Sequence, residues 1–77
     1  MSELARLRKA KRLSQLEIGR RIGVSHTSVG NWERGLNIPS VKHAVLYAEI
    51  LGIPVTRLYQ LIVMARSQTG GREAASS

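Results

Sequence analysis

The sequence contains no cysteine, which excludes disulfide bonds and thiolate metal sites. Its apolar runs are short, such as residues 61–65, whereas a membrane-spanning helix needs roughly 20 apolar residues. The first residues lack the apolar segment of a signal peptide. These absences predict a cytoplasmic protein with no membrane partner.

Acidic residues are scarce. Five Asp and Glu stand against twelve Lys and Arg, so the formal net charge is +7. Such a balance predicts attraction to a polyanion such as DNA, RNA or an acidic membrane. At 77 residues the chain is one domain near the lower size limit for a self-sufficient core. It therefore needs dense helix packing, a dimer partner, or both.

Patterns typical of catalysis are absent as well. The sequence has no paired-carboxylate site, no nucleophile with a base in reach and no phosphate-binding glycine loop. His26 and His43 are far apart, without the spacing of metal ligands. We therefore expect no enzyme activity, no cofactor, no metal and no small-molecule ligand.

Residues 14–35 predict two short helices joined by a tight turn. Gly23 follows the apolar residue Ile22 and suits the left-handed conformation that ends many helices. Ser25, two residues later, is a typical helix N-cap. One helix therefore ends and another begins within three residues, which is the spacing of a helix-turn-helix.

The two helices of this turn, at about 15–22 and 26–33, each have an apolar and a polar side. Because of their helical spacing, several apolar residues can share one small core: Ile18, Ile22, Val24, Val29 and Trp32. Gly19 is the small residue expected to let the helices cross closely. The outer face of the second helix carries small, mostly polar residues: His26, Thr27, Gly30 and Asn31. Such a face suits a groove of DNA.

Three further helices are predicted, at 3–11, 41–51 and 55–65. Ser14 and Glu17 have the spacing of a capping box. The fourth helix has an apolar stripe at Val41, Ala44, Val45, Ala48 and Leu51, with Tyr47 at its edge. Residues 66–77 are small and polar and predict a flexible tail. We therefore expect an all-α, five-helix domain over residues 1–65, followed by this tail.

The sequence resembles the Cro and C1 repressor family of helix-turn-helix proteins, the lambda-repressor-like domains, over about residues 4–62. The matching segments are 13–15, 18–19, 22–25, Val29, 32–35, 39–40 and 51–53. The resemblance implies a compact five-helix domain in which the second and third helices form the helix-turn-helix.

The resemblance also implies roles for single residues. Those expected to read DNA bases are His26, Thr27, Gly30 and Asn31. Those expected to bind phosphate are Arg8, Gln15, Ser25, Ser28, Arg34 and Asn37. Arg8 aligns with an arginine that pairs with a glutamate, here Glu33. Leu16 stands where the family usually has a charged or amide residue, and it is expected to be exposed.

The fifth helix has more apolar surface than one buried face requires. The excess either packs back on Leu4 and Leu7 or forms a contact with a second subunit, and we favour the second alternative. The predicted dimer interface consists of Leu58, Tyr59, Leu61 and Ile62.

Together these features predict a sequence-specific, double-stranded DNA-binding transcriptional regulator. We expect a repressor of phage, plasmid or restriction-controller type that binds a palindromic operator as a homodimer. The alternative is a protein-interaction module of the same fold, such as an antitoxin or anti-repressor. It would use helix 5 together with Leu16, Leu36 and Ile38, the last two of which otherwise pack on the core or a partner.

Overall fold

The structure, a computed structural model, describes the backbone of residues 2–76 and the side chains of residues 2–67. This part of the chain forms five helices and no strand, which confirms the predicted all-α, five-helix fold. The helices are α1 (Glu3–Ala10), α2 (Gln15–Ile22), α3 (His26–Glu33), α4 (Val41–Leu51) and α5 (Val55–Ser76).

A serine caps each of the first four helices. Its hydroxyl oxygen accepts a hydrogen bond from a backbone N–H in the first turn, which has no partner inside the helix. The caps are Ser2, Ser14, Ser25 and Ser40. In α2, Glu17 also accepts from the backbone N–H of Ser14 at 3.0 Å, which completes the predicted capping box. This hydrogen bond is the main reason why the pKa of Glu17 is below its ordinary value.

The turn between α2 and α3 depends on two glycines. Gly23 has φ of 94°, a left-handed conformation that glycine adopts without steric cost. A Cβ atom added to Gly19 would lie 2.5 Å from the carbonyl oxygen of Val24. Gly19 is therefore the small residue that the close crossing requires. The backbone that it approaches is mainly that of the turn itself.

One apolar core joins all five helices. Its buried residues are Leu4, Ile18, Ile22, Val29, Trp32, Ala44, Tyr47, Ala48, Leu51, Leu58, Leu61 and Ile62. The predicted core of the helix-turn-helix belongs to this cluster, with Val24 half-buried against it. The core therefore holds α2 and α3 in one rigid orientation against the rest of the domain.

The predicted buried stripe of α4 is partly wrong. Val41 and Val45 are 69% and 38% exposed, whereas Tyr47 lies in the core with no exposed surface. The face that packs inward is Ala44, Tyr47, Ala48 and Leu51. This face has the i, i+3, i+4, i+7 spacing of a helix with one buried side, and it places the tyrosine ring, rather than the valines, under α3.

Helix α5 is longer than predicted, since it continues to Ser76 instead of ending near Ala65. Arg66 anchors it beyond that point, because its Nε donates to the carbonyl oxygen of Gly35 at 3.0 Å. Once a helix is formed, each further residue adds one hydrogen bond, so it tolerates weak formers such as glycine. The side chains after residue 67, and Ser77, lie outside the described residues, so a domain boundary at residue 65 stays a prediction.

Among the described residues, no single helix is long and apolar enough to cross a membrane. Helix α4 and residues 55–67 of α5 reach the necessary length and composition only as a pair, and they are bent by 102°.

Candidate nucleic-acid interface

Helix α3 presents a polar surface on the side opposite the core. His26 and Thr27 are exposed and Asn31 is half-buried, whereas Val29 and Trp32 face inward at 0% and 4% exposure. The core therefore fixes the rotation of α3 about its axis. It leaves an imidazole, a hydroxyl and an amide pointing outward, and these groups can form hydrogen bonds with the edges of bases.

Gly30 lies deeper than the outer face of α3. It is buried, and a Cβ atom added to it would lie 3.2 Å from Nε2 of Gln15. The amide of Gln15 thus lies over the backbone of α3 at this position. The glycine gives this amide room against α3. Gly30 also lines the same cavity as His26 and Thr27, and that it faces a base stays a prediction.

Beneath Gln15 lies a buried polar cluster centred on Glu33, which is 5% exposed. Its carboxylate accepts from Nε of Arg8 at 2.5 Å and from Nη2 of Arg8 at 3.3 Å. It also accepts from Nε2 of Gln15 at 2.9 Å and from the hydroxyl of Tyr47 at 3.2 Å. The ion pair between Arg8 and Glu33, which the resemblance implied, is therefore present. The cluster as a whole joins α1, α2, α3 and α4 at the carboxylate of Glu33.

Arg8 is mainly an anchor within the domain. It is 6% exposed, and its Nη1 donates to the carbonyl oxygen of Leu13 at 2.8 Å. Its hydrogen bonds with Glu33 raise the pKa of the guanidinium above its ordinary value. Three of its five N–H groups are thus used inside the chain. Only the other two remain for the predicted phosphate contact.

Tyr47 is the member of this cluster that the sequence prediction missed. Burial is the first cause that raises the pKa of its hydroxyl far above 10, and the nearby Glu33 carboxylate is the second. The hydroxyl is therefore a neutral donor to Glu33. The available signal was a tyrosine within the apolar stripe of α4, because a buried tyrosine hydroxyl usually has a hydrogen-bond partner.

The predicted phosphate-binding residues differ in how freely they face solvent. Arg34 is exposed, and its Nη2 donates to Oδ1 of Asn31 at 2.7 Å. Asn37 is exposed in the loop after α3, next to Leu36 and Ile38, which are 52% and 46% exposed and do not pack on the core. Ser25 and Ser28 lie at the start of α3, where the hydroxyl of Ser25 caps the helix.

A cavity of about 490 Å³ opens between α1, α2 and α3. Its polar lining includes the predicted base readers His26 and Thr27 and the predicted phosphate binders Arg8, Gln15 and Arg34. Lys9 adds a further cation. The fold therefore brings together residues from three separate segments of the chain, whereas Ser25, Ser28, Asn31 and Asn37 lie outside this cavity.

The predicted dimer interface is largely wrong. Leu58, Leu61 and Ile62 are at most 3% exposed, because they fill the core of their own chain. The half-buried Tyr59 donates from its hydroxyl to the carbonyl oxygen of Pro39 at 3.1 Å. Among the side chains of α5 up to residue 67, the exposed large apolar residues are instead Val63 and Met64, at 49% and 52%. They line a groove of about 540 Å³ together with Thr56, Tyr59 and Gln60.

A helix-turn-helix family model matches residues 4–58, which include α1 except its first residue, all of α2 to α4 and the first turn of α5. The match contains all residues predicted to contact bases or phosphates. No curated protein and no solved structure matches the chain.

Proposed function

Because this chain belongs to the Cro/C1-type helix-turn-helix family of DNA-binding regulators, we propose that it is a transcriptional repressor that recognises one double-stranded operator sequence. Helix α3 would lie in the major groove, where each base pair presents a distinct pattern of donors and acceptors. His26, Thr27 and Asn31 would read the bases. Gln15, Arg34 and Asn37 would bind the phosphates on either side, with a smaller contribution from Arg8, Ser25 and Ser28.

The observation that carries this proposal is the outward polar face of α3, bordered by the cationic cavity. An exposed imidazole and hydroxyl at His26 and Thr27 share that cavity with the cations Lys9 and Arg34. Base edges and phosphates are adjacent in DNA, so a reader of sequence needs both kinds of group side by side. The net charge of +7 supports association with a polyanion.

Selection of bound duplexes from a random pool tests the proposal directly. We expect one enriched sequence, which is then compared with its scrambled version in titrations at physiological salt. A specific site typically binds about 10³-fold or more tightly than other DNA. Equal affinity for the enriched and scrambled duplexes would contradict the proposal.

Gln15→Ala should weaken binding to all duplexes alike, by about tenfold for each bound subunit, because a hydrogen bond to a charged group is worth about 1.5 kcal/mol or more. The amide of Gln15 uses one N–H on Glu33, and its second N–H can donate to a phosphate. Since glutamine is neutral, the salt dependence of binding should not change. Arg34→Ala on the scrambled duplex is the comparison, because on the operator it would also release Asn31, to which Arg34 donates. Loss of a cation on a phosphate should reduce the salt slope by about 1 for each bound subunit.

We also propose that the protein binds its operator as a symmetric homodimer through Val63 and Met64 of α5. These two exposed apolar residues are adjacent in sequence. They line one groove together with Thr56, Tyr59 and Gln60. A two-fold axis through this face would pair it with its own copy. The two α3 helices would then lie about 34 Å apart, on the two halves of a palindrome.

The double variant Val63→Asp, Met64→Asp should sediment as a monomer at concentrations where the unchanged protein is a dimer. Four carboxylates would meet across the two-fold axis, and their mutual repulsion would oppose association. Val41→Asp is the control, because Val41 is the more exposed valine, at 69%, and lies on α4. A dimer that survives the double variant would place the interface elsewhere.

An interaction module of the same fold is the second candidate, and the exposure of Leu36 and Ile38 favours it. Family members contact DNA through polar groups, whereas two apolar side chains in the loop after α3 suit a protein partner. Measuring DNA binding at low and at physiological salt separates the two functions. Binding that disappears at physiological salt on every DNA fragment would favour the interaction module.

A further inference from the structure

Leu16 is an exposed apolar residue at the edge of the candidate interface. It is the second residue of α2 and is 48% exposed, whereas Ile18 and Ile22 of the same helix are buried. A shallow cavity of about 380 Å³ places it beside Gln15, Ser14, Arg8 and His26. Leu16 therefore shares one surface with a predicted phosphate binder and with the first residue of α3.

The chemistry of this surface restricts what Leu16 can contact. If α3 enters the major groove with His26 at the base edges, Leu16 lies at the edge of the same groove. The phosphates there are anionic and gain nothing from a leucine, and most base-edge groups are hydrogen-bond donors or acceptors. The apolar group that the major groove offers is the C5-methyl of thymine.

We propose that Leu16 determines part of the DNA specificity by packing against the 5-methyl group of a thymine next to the base that His26 contacts. This proposal rests on the proposed function, since it requires α3 in the major groove. The contact removes one methyl group and part of one leucine from water, and this burial favours duplexes that have thymine at that position.

The methyl group can be removed without other changes by replacing single thymines of the selected operator with deoxyuridine. When thymines are replaced one at a time, one position in each half-site should weaken binding of the unchanged protein by about fourfold, the value of one buried methyl group. Leu16→Ala changes both subunits of the proposed dimer, so it should bind the thymine operator about 16-fold more weakly, about fourfold for each contact. It should lose nothing further when both of these thymines are replaced by uracil, because both methyl groups are then already gone.

Leu36→Ala is the matched control, because Leu36 is similarly exposed, at 52%, but lies outside this cavity. This variant should keep the full sensitivity to uracil. Circular dichroism should show unchanged helix content for both variants, since alanine is the best helix former and Leu36 lies outside the helices.

Three results would overturn the proposal. In the first, uracil does not weaken binding of the unchanged protein at any thymine while its preference for the operator persists, which removes the methyl contact and leaves the proposed function intact. In the second, Leu16→Ala retains the full uracil effect or binds DNA normally, which shows that Leu16 does not contact the methyl group. If the unchanged protein prefers no duplex, both the proposed function and this inference fail.

Discussion

Glu33→Ala is expected to lower the free energy of unfolding by about 3–5 kcal/mol, the usual cost of removing one partner of a buried ion pair. The substitution leaves the guanidinium of Arg8 charged at 6% exposure. It also removes the acceptor of the Tyr47 hydroxyl, which has no exposed surface. A domain of this kind has roughly 5–15 kcal/mol of total stability, so the variant would lose a large fraction of its stability. Urea denaturation followed by circular dichroism measures the change.

Two further variants show whether the buried cluster is the cause of this loss of stability. Glu49→Ala removes an exposed glutamate of α4 and should change stability by less than about 0.5 kcal/mol. The triple variant Arg8→Leu, Glu33→Leu, Tyr47→Phe replaces the ion pair and the hydroxyl by apolar groups. It should regain most of the lost stability, because an apolar replacement avoids the cost of burying an unpaired charge. A stable Glu33→Ala single variant would contradict the role assigned to the cluster.

The same cluster also links stability to binding. Glu33 accepts from the amide of Gln15 at 2.9 Å, so it holds the proposed phosphate-binding group in place. The triple variant should therefore fold but bind every duplex more weakly. Arg8→Ala also removes a member of this cluster. It therefore tests the anchoring of α1 more than it tests a phosphate contact.

Asn31→Ala is expected to weaken binding to the selected operator by about 10- to 100-fold for each half-site while leaving the scrambled duplex unaffected. Two hydrogen bonds between an asparagine amide and adenine discriminate against a wrong base by about 1–3 kcal/mol. The amide of Asn31 is already oriented in the protein, because Nη2 of Arg34 donates to its Oδ1 at 2.7 Å. The oxygen has a second lone pair for the amino group of adenine.

Asn37→Ala is the matched control for this prediction. Asn37 is an exposed asparagine outside α3, in the loop that follows Gly35, and its proposed partner is a phosphate. Its loss should therefore weaken binding to the operator and to the scrambled duplex by the same factor. Equal losses on both duplexes for Asn31→Ala would show that Asn31 does not read a base.

The ends of the helices follow from local rules, and the sequence predicted most of them. Ser14, Ser25 and Ser40 lie directly before helices because a hydroxyl satisfies the first unpaired N–H groups. Gly23 and Gly52 end α2 and α4 in the left-handed conformation. These interactions join residues only a few positions apart, so a single sequence contains the information needed to locate them.

The continuation of α5 beyond Ala65 does not follow from such local rules. Nothing in residues 66–76 alone predicts a helix, because the segment is polar and contains two glycines. Arg66 bonds to the carbonyl of Gly35, 31 positions earlier. A contact at this separation has no periodic signal within either segment.

The sequence by itself determined the five helices, the turn between α2 and α3 and the polar character of the surface beginning at His26, since each depends on neighbouring residues and helical periodicity. Tertiary structure alone decided that Gln15 covers Gly30 and that Leu58, Leu61 and Ile62 belong to the core. It also decided that Arg8, Gln15 and Tyr47 meet at Glu33. The physical reason is that burial and polar pairing depend on which helix faces touch, and that is settled only when all five helices pack on one core.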